Sequence, residues 1–599
     1  MVLAGPGSGK TSVIVERTAY MINEGKIPAS SILVVTFSRA AATEMKERFL
    51  KFVGQNRSEV TFGTFHGIFY GILKAAYHLS AANILSEEEK YSILREMTEK
   101  YGQEMAQEGD FIEEVAREIS VVKGNCISPE HYYASCCSDE IFRDIFHGYK
   151  QALKAKRKLD FDDMILCCYE LFSQRQDILN AWRRKFVYIL VDEFQDINSL
   201  QYKILQMLAA PVNNLFIVGD DDQSIYRFRG SKPEIMLGFE KDYPDAKRIL
   251  LDTNYRCGRY IVETSLNLIS HNRERFDKKI IAASKSMVPV TFADFENRRD
   301  ENIFLIRDID KKIKAGAVFS DFAVLFRTNT QPRQLIEQLM SYNIPFKTKD
   351  NIPNIYEHWI ARDLFTYQRI AAGSRDRADF LQIMNRPKRY LSRDSLCDTT
   401  VAFDEWIKLF DEKPWIAERI EKLEYDMKLI SRMNPYASIN YIRRGIGYDD
   451  FLSEYAEYRN INKEDLFDIL DEIQSGAKGF ATYEEWYEHI KEYTKQMKLM
   501  AMSKDSDPNA VTLATLHSSK GLEFENVYII DANEGIMPYK KAVLEKDIEE
   551  ERRLFYVGMT RAKTNLSVYS VKSVNDKSAQ TSRFVRESKE PRQNNSRDD

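Results

Sequence analysis

Residues 4–11 read Ala4-Gly5-Pro6-Gly7-Ser8-Gly9-Lys10-Thr11. The start before them is strand-like and the continuation over 12–22 is helix-like. That pattern confines the chain to folds in which a glycine-rich turn joins a buried strand to a helix N-terminus. Ala4 stands where the strict pattern has its first Gly, a position that tolerates a small residue. The turn gains its meaning from a distant partner. Residues 186–196 form an apolar run ending in Val191-Asp192-Glu193-Phe194-Gln195-Asp196. A nucleoside triphosphate with Mg²⁺ needs both halves. Backbone N–H groups of Ala4, Gly5, Gly7, Ser8 and Gly9, with Pro6 shaping the turn and Lys10 adding charge, would hold phosphates. Thr11 and Asp192 would hold Mg²⁺, and Glu193 would orient the attacking water. The reading is an ATP hydrolase.

The strand signals recur. Short apolar runs at 31–36, 186–191, 215–218 and 248–251 predict one parallel sheet, and those at 322–326, 511–515, 527–530 and 566–569 a second. Residues 75–160 and 370–505 instead carry Glu, Lys, Tyr, Leu and Ile at helical spacing. The fold class is therefore α/β, with two parallel-sheet cores, each bearing a mostly helical insertion. The expected boundaries are 1–75 and 161–250 for the first core around an insertion at 76–160. The second core takes 251–368 and 506–587, around an insertion at 369–505. Residues 588–599 are polar and aperiodic, which predicts a disordered tail. A length of 599 residues exceeds a single hydrophobic core.

Composition narrows the class further. No run approaches the ~20 apolar residues of a membrane span, and no leader pattern opens the chain, so the expectation is a cytoplasmic protein without a membrane partner. A net charge of −5 neither demands nor excludes a nucleic acid. The seven cysteines contain no C-x-x-C pair and read as structural thiols.

The run at 218–230 adds Gln223, an uncharged side chain suited to bonding a γ-phosphate and sensing its loss. Tyr226 and Phe228 follow, interleaved with Arg227 and Arg229, a mixture suited to stacking bases beside phosphate contacts. Asn254-Tyr255-Arg256 and Gly558-Met559-Thr560-Arg561 each supply an arginine; spacing alone leaves open a surface salt bridge or a phosphate contact.

Read in order, these segments join Thr36-Phe37-Ser38-Arg39, Gly63-Thr64-Phe65-His66, Leu159-Asp160-Phe161-Asp162-Asp163, Phe326-Arg327-Thr328-Asn329 and Thr515-Leu516-His517-Ser518-Ser519-Lys520-Gly521-Leu522-Glu523-Phe524. The series resembles the UvrD/PcrA/Rep group of superfamily 1 DNA helicases along nearly the whole chain. The resemblance implies two RecA-like cores and 3′→5′ travel on single-stranded DNA and at junctions with duplex, in DNA repair or replication. It implies that Arg256 and Arg561 reach the γ-phosphate, Tyr255 stacks on adenine and Glu523 meets the ribose. It further implies that Phe37, Thr64, His66, Phe161, Tyr226, Phe228, Arg327, Asn329 and His517 line or couple to the strand, and that the insertions handle duplex and protein partners.

Three departures stand out. Relatives carry a Gln-bearing segment before the phosphate loop, whereas Met1-Val2-Leu3 alone precede Ala4, which implies a shortened central strand. Asn385-Arg386-Pro387-Lys388-Arg389-Tyr390-Leu391 lies where relatives often carry a Gly-Ile-Gly turn against duplex; Gly445-Ile446-Gly447 comes later, in a different element. The stretch after 585 leaves no room for a nuclease domain. These departures keep two alternatives open: a translocase that displaces proteins with little unwinding, and a nucleotide-impaired DNA-binding remnant.

Overall fold

The structure, a computed structural model, describes residues 1–54, 59–101, 109–459, 461–502 and 508–590. The chain divides into two compact units. One holds Met1–Ala293, Ser519–Ser570 and Thr581–Asp599; the other holds Asp294–Ser518 and Val571–Gln580. Residues 251–293 and 519–570, which the sequence reading assigns to the second core, thus cluster with the first.

The first unit is built on six strands: β1 (Val2–Ala4), β2 (Ile32–Thr36), β3 (Thr61–Thr64), β4 (Tyr188–Val191), β5 (Leu215–Gly219) and β6 (Ile249–Leu251). Their order is β3-β2-β4-β5-β1-β6, with every pairing parallel. Burial explains the unbroken apolar runs. Leu3, Leu33, Val35, Ile189, Val191 and Ile217 enter one core, while Val2, Ile32, Val34, Leu190 and Val218 enter the core on the opposite face. Three residues suffice for β1, because Val2 pairs with both Val218 and Ile249.

Parallel order places every strand's carboxyl end on one edge of the sheet, where open α/β sheets bind ligands. Helix α1 (Lys10–Asn23) follows β1, α2 (Phe65–Tyr77) follows β3, and α3 (Phe161–Gln174) packs against α2. Between β3 and β4 the described residues contain helices and no strand. Ile112, Val115, Ile119, Phe142, Ile145 and Tyr149 form a separate small core there. Two short strands, β7 (Thr253–Asn254) and β8 (Ile281–Ala282), pair in parallel beyond β6.

The remaining strands are β9 (Thr291–Asn297), β10 (Phe322–Phe326), β11 (Phe346–Thr348), β12 (Val511–Thr515), β13 (Phe524–Ile529), β14 (Ala562–Val574) and β15 (Lys577–Ser578). In the second unit β11, β12 and β10 pair in parallel, and no strand lies between β11 and β12 among the described residues. That interval is helical from Trp359–Ala371 through α4 (Tyr448–Arg459) to Tyr483–Met502. In the first unit β13 runs parallel to β14 up to Ser570, α5 (Glu545–Met559) packs on β13, and α6 (Arg583–Lys589) packs on the Arg259–Ile269 helix. The expected tail begins too early: Ser588 lies within α6, is buried, and bonds the Phe584 carbonyl at 2.7 Å. Residues 591–599 lie outside the described residues. No helix is long and apolar enough to cross a membrane among the residues described.

Candidate functional site

The phosphate loop is shaped by two glycines in left-handed backbone, Gly7 at φ 64° and Gly9 at φ 86°, the latter opening α1. Ser8 Oγ donates to the Gly5 carbonyl at 2.8 Å and closes the turn. Gly7 is required twice over. A Cβ there would stand 2.6 Å from Arg256 Cβ, and the φ itself costs a side chain ~1–2 kcal/mol. Gly7→Ala is therefore expected to weaken ATP binding and lower stability. Titration with a fluorescent nucleotide checks this, and unchanged affinity would contradict it.

Asp192 and Glu193 follow β4. Burial, reinforced by the Glu193 charge, pushes the Asp192 carboxyl up to about 7. Its Oδ1 is buried without a hydrogen-bond partner. A buried, unpaired carboxylate oxygen suits a divalent cation, so the residues fit Mg²⁺. Burial also works against the Glu193 charge, but Lys10 and Lys520 outweigh it and hold this carboxyl below its usual range. Glu193 sits in left-handed backbone, and its Oε2 accepts a short bond from Gln195 Nε2. Gln195 Oε1 in turn accepts the Asp220 amide at 2.9 Å, tying the ends of β4 and β5.

Gln223 ends the turn after β5, with Nε2 donating to Asp220 Oδ2 at 2.7 Å. Asp220, Asp221 and Asp222 converge closely enough to resemble a metal site. Yet Lys278 Nζ fills that space, 2.6, 2.6 and 2.8 Å from the three carboxylates, while Arg275 pairs with Asp222 at 2.8 Å. Two cations thus face three carboxylates, burial raises the Asp221 carboxyl, and Asp220 holds Gln223 in place. Breaking a buried network by removing one partner costs ~3–5 kcal/mol. Lys278→Met should lower stability by about that much in denaturant unfolding, and a loss below ~1 kcal/mol would contradict this account.

The two arginines differ. The Tyr255 amide donates to the Gly7 carbonyl at 2.9 Å, and Asn254 Oδ1 accepts the amides of Arg256 and Cys257, each at 2.8 Å. Arg256 Nε donates to Glu523 Oε2 at 2.7 Å, so the residues expected at γ-phosphate and ribose meet each other here. Tyr255 is 70% exposed, its ring open to a planar partner. Arg561 is buried and donates to the carbonyls of Val557 and Leu522 and to Thr560 Oγ1. Burial and the adjacent Arg256 charge lower it to about 10.

Aromatic side chains gather beside this edge. Phe37 and Tyr226 stack at 5.4 Å and 5°, and Phe228 adjoins Tyr226 at 6.0 Å. Arg229 lies over both Tyr226 and Phe228. Arg227, read alongside it in the sequence, is instead tied to Glu234 and Glu550. Thr64 caps α2 by accepting the Gly67 amide, and His66, its basicity lowered by burial, meets Phe161 edge-on at 5.6 Å. In the second unit, Phe326 pairs with Thr515 in register, bringing Arg327 and His517 to neighbouring strand ends. Asn329 follows on the same loop, its Oδ1 buried without a partner.

Lys520 is the residue the sequence reading left without a role. Its Nζ lies 2.5 Å from Asp196, donates to the Gln223 carbonyl at 2.8 Å and stands 4.9 Å from the Tyr226 ring. It touches the acidic strand, the Gln223 turn and the stacked aromatics together. Burial opposes its charge, yet Asp196 and Glu193 keep its pKa above the usual lysine value.

Residues 1–244 match the family described as the UvrD/REP helicase N-terminal domain, and residues 249–573 match the UvrD-like helicase C-terminal domain. YjcD of Bacillus subtilis strain 168 is 34% identical over 608 residues, covering 98% of this chain and 78% of the relative. ATP-dependent DNA helicase PcrA of Staphylococcus epidermidis (strain RP62A) is 32% identical, covering 95% of this chain and 80% of its own length. PcrA of Staphylococcus aureus (strain Mu50) is 31% identical over the same shares. Matched along almost its whole length by the N-terminal and C-terminal descriptions together, the chain belongs to the UvrD/Rep helicase family.

Proposed function

We propose that this chain is an ATP-dependent DNA helicase that travels 3′→5′ along single-stranded DNA and separates duplex at junctions, in the cytoplasm. The observation that carries the reading is Lys520, which joins the Asp196 and Gln223 side of the nucleotide site to the Phe37–Tyr226 stack. Lys10 and the phosphate-loop amides would hold the triphosphate, Gln223 its γ-phosphate, Tyr255 the adenine and Glu523 the ribose. Thr11 and Asp192 would hold Mg²⁺, which would supply positive charge against the triphosphate. Glu193 would take up the proton of the attacking water, and Arg256 and Arg561 would meet the charge developing on the leaving phosphoryl. Glu523 Oε2 holds Arg256 while its Oε1 is open to a ribose hydroxyl, so a phosphate would compete with Glu523 for this arginine.

Loss of the γ-phosphate would change the Gln223 turn, and Lys520 would pass that change to Tyr226. Phe37, Tyr226 and Phe228 would grip bases, with Thr64, His66, Phe161, Arg327, Asn329 and His517 contacting or coupling to the strand. Stacking is worth ~1–3 kcal/mol per base. Phe37→Ala and Tyr226→Ala should each weaken oligo(dT) binding by that amount, measured by fluorescence anisotropy. The primary test is ATP hydrolysis by the purified chain with and without oligo(dT), beside unwinding of 3′-tailed and 5′-tailed duplexes. Hydrolysis indifferent to single strands would sink the reading.

A second reading is a translocase that strips bound proteins with little unwinding. It draws on the 385–391 loop, where Arg386 and Arg389 are engaged internally and Lys388 pairs with Glu454. Few cations there remain for duplex phosphates. Protein displacement without unwinding in paired assays would favour it.

A further inference from the structure

The helical stretch between β3 and β4 is joined to the aromatic edge of the first unit by a buried ionic cluster. Its helix Gly109–Gly124 packs against both α3 and the Arg227–Arg229 turn, the two segments that carry Phe161 and Phe228. On the last turn of that helix Lys123 is buried, with Nζ 2.6 Å from Asp160 Oδ2 and 2.8 Å from Asp163 Oδ1. The Tyr149 hydroxyl donates to the same Asp160 oxygen at 3.0 Å, and the Lys123 ammonium stands 5.1 Å from the Tyr149 ring. One turn earlier, Ser120 Oγ donates to Asp162 Oδ2 at 2.6 Å. Just beyond the helix, Asn125 Oδ1 accepts the Ser199 hydroxyl at 3.4 Å, and a Cβ on Gly230 would stand 3.0 Å from Asn125 Nδ2.

The three carboxylates bracket Phe161. Asp160 is the N-cap of α3: its Oδ1 accepts the Asp163 amide at 2.7 Å while its Oδ2 faces Lys123. Phe161 is the first residue of that helix, 43% exposed, and meets His66 edge-on. Burying an ammonium with two carboxylates is costly, and an apolar contact would hold two helices together at less expense. What the ionic set adds is direction. By engaging both oxygens of the capping carboxylate it fixes the first turn of α3, and with that turn the direction of the Phe161 ring.

We propose that Lys123 is a positioning residue for single-strand binding, a role that rests on the strand contacts proposed above for Phe161 and His66. From within the helical insertion it holds those two rings in the arrangement that receives a base. The insertion is then a working part of the strand site. Its helix Gly109–Gly124 sets Phe161 through Lys123 and Ser120, and abuts the turn carrying Phe228 through Asn125.

The test follows ATP hydrolysis by the full chain against oligo(dT) concentration. Lys123→Met should raise the concentration for half-maximal stimulation about tenfold, a change of ~1.4 kcal/mol. The kcat at saturating oligo(dT) and the KM for ATP should stay within about twofold of the parent, as expected when strand binding alone is weakened. Ser120→Ala, which spares the ion cluster, should raise the same concentration about threefold, the loss of one hydrogen bond. In a Phe161→Ala background Lys123→Met should add less than about twofold, because its effect passes through that ring. A tenfold loss repeated in full in that background would make Lys123 a structural brace and overturn the proposal. A parent-like oligo(dT) response in both single variants would do the same. Should Lys123→Met fail to fold, Ser120→Ala decides alone: a rise of about threefold that vanishes beside Phe161→Ala supports the role, and a parent-like response overturns it. Failure of the helicase reading looks different, since the parent chain itself would then show no oligo(dT) stimulation, and both proposals would fall.

Discussion

Glu193→Gln should reduce oligo(dT)-stimulated ATP hydrolysis by ~10²–10⁴-fold, the usual contribution of a positioned general base. The substitution preserves size and removes the charge. That charge persists in a poorly solvated position because Lys10 and Lys520 overcome the cost of burial. A carboxylate kept ionised so near Asp192, itself pushed up to about 7, gives two adjacent acids different protonation at neutral pH. Glu193, ionised at neutral pH, can accept from and orient the attacking water, and a bound cation would draw off the Asp192 proton and leave that carboxylate a ligand. ATP binding should survive, since none of the proposed phosphate contacts is removed. Single-turnover hydrolysis beside nucleotide titration separates the two effects. A rate within threefold of the parent would remove Glu193 from the role proposed for it.

Arg561→Ala should cost ~10³–10⁵-fold in the same assay, the range for an arginine at a transferring phosphoryl group. It should do so without destabilising the empty protein much. A buried guanidinium whose bonds run to carbonyls and a hydroxyl keeps its charge at some expense. Its lowering from 12.5 to about 10 corresponds to roughly 3 kcal/mol. Relief of that cost opposes the loss of its three hydrogen bonds and the cavity that truncation leaves, so the melting temperature without nucleotide should change little. A phosphate arriving with negative charge would reverse this balance, leaving nucleotide-induced stabilisation smaller in the variant than in the parent. If hydrolysis fell less than tenfold, or if the empty variant melted well below the parent, Arg561 would be a structural brace.

The parts of the fold that were legible in the sequence are those where burial writes directly into composition. Phe322–Phe326 and Val511–Thr515 are buried throughout, and their apolar runs match the strands end to end. Where a strand leaves the core, the pattern fades. β14 continues past 569 to Val574 through Lys572 and Ser573, and β13 starts at Phe524 although Glu525 and Asn526 are polar. β3, half-buried and carrying Gly63, left no apolar run to detect. In the site, the residues that follow strands could be located by motif. Lys520 and Lys278 could not be given partners, because Asp196 lies 324 residues from the first and Asp220 lies 58 from the second. Ion pairs of that kind depend on tertiary approach and leave no local periodicity. The same limit applies to the 385–391 loop, where Arg386, Lys388 and Arg389 look alike until Asp363 and Tyr367 claim two of them.

The bond from the Tyr255 amide to the Gly7 carbonyl sets how far Arg256 can move when its partner changes. The residue before Arg256 is moored to the phosphate loop and the Arg256 amide to Asn254 Oδ1, whereas its head group is clasped by a half-exposed Glu523. Arg256 can therefore trade its carboxylate for another anion by side-chain rotation alone, while the main chain beside it stays moored to the phosphate loop.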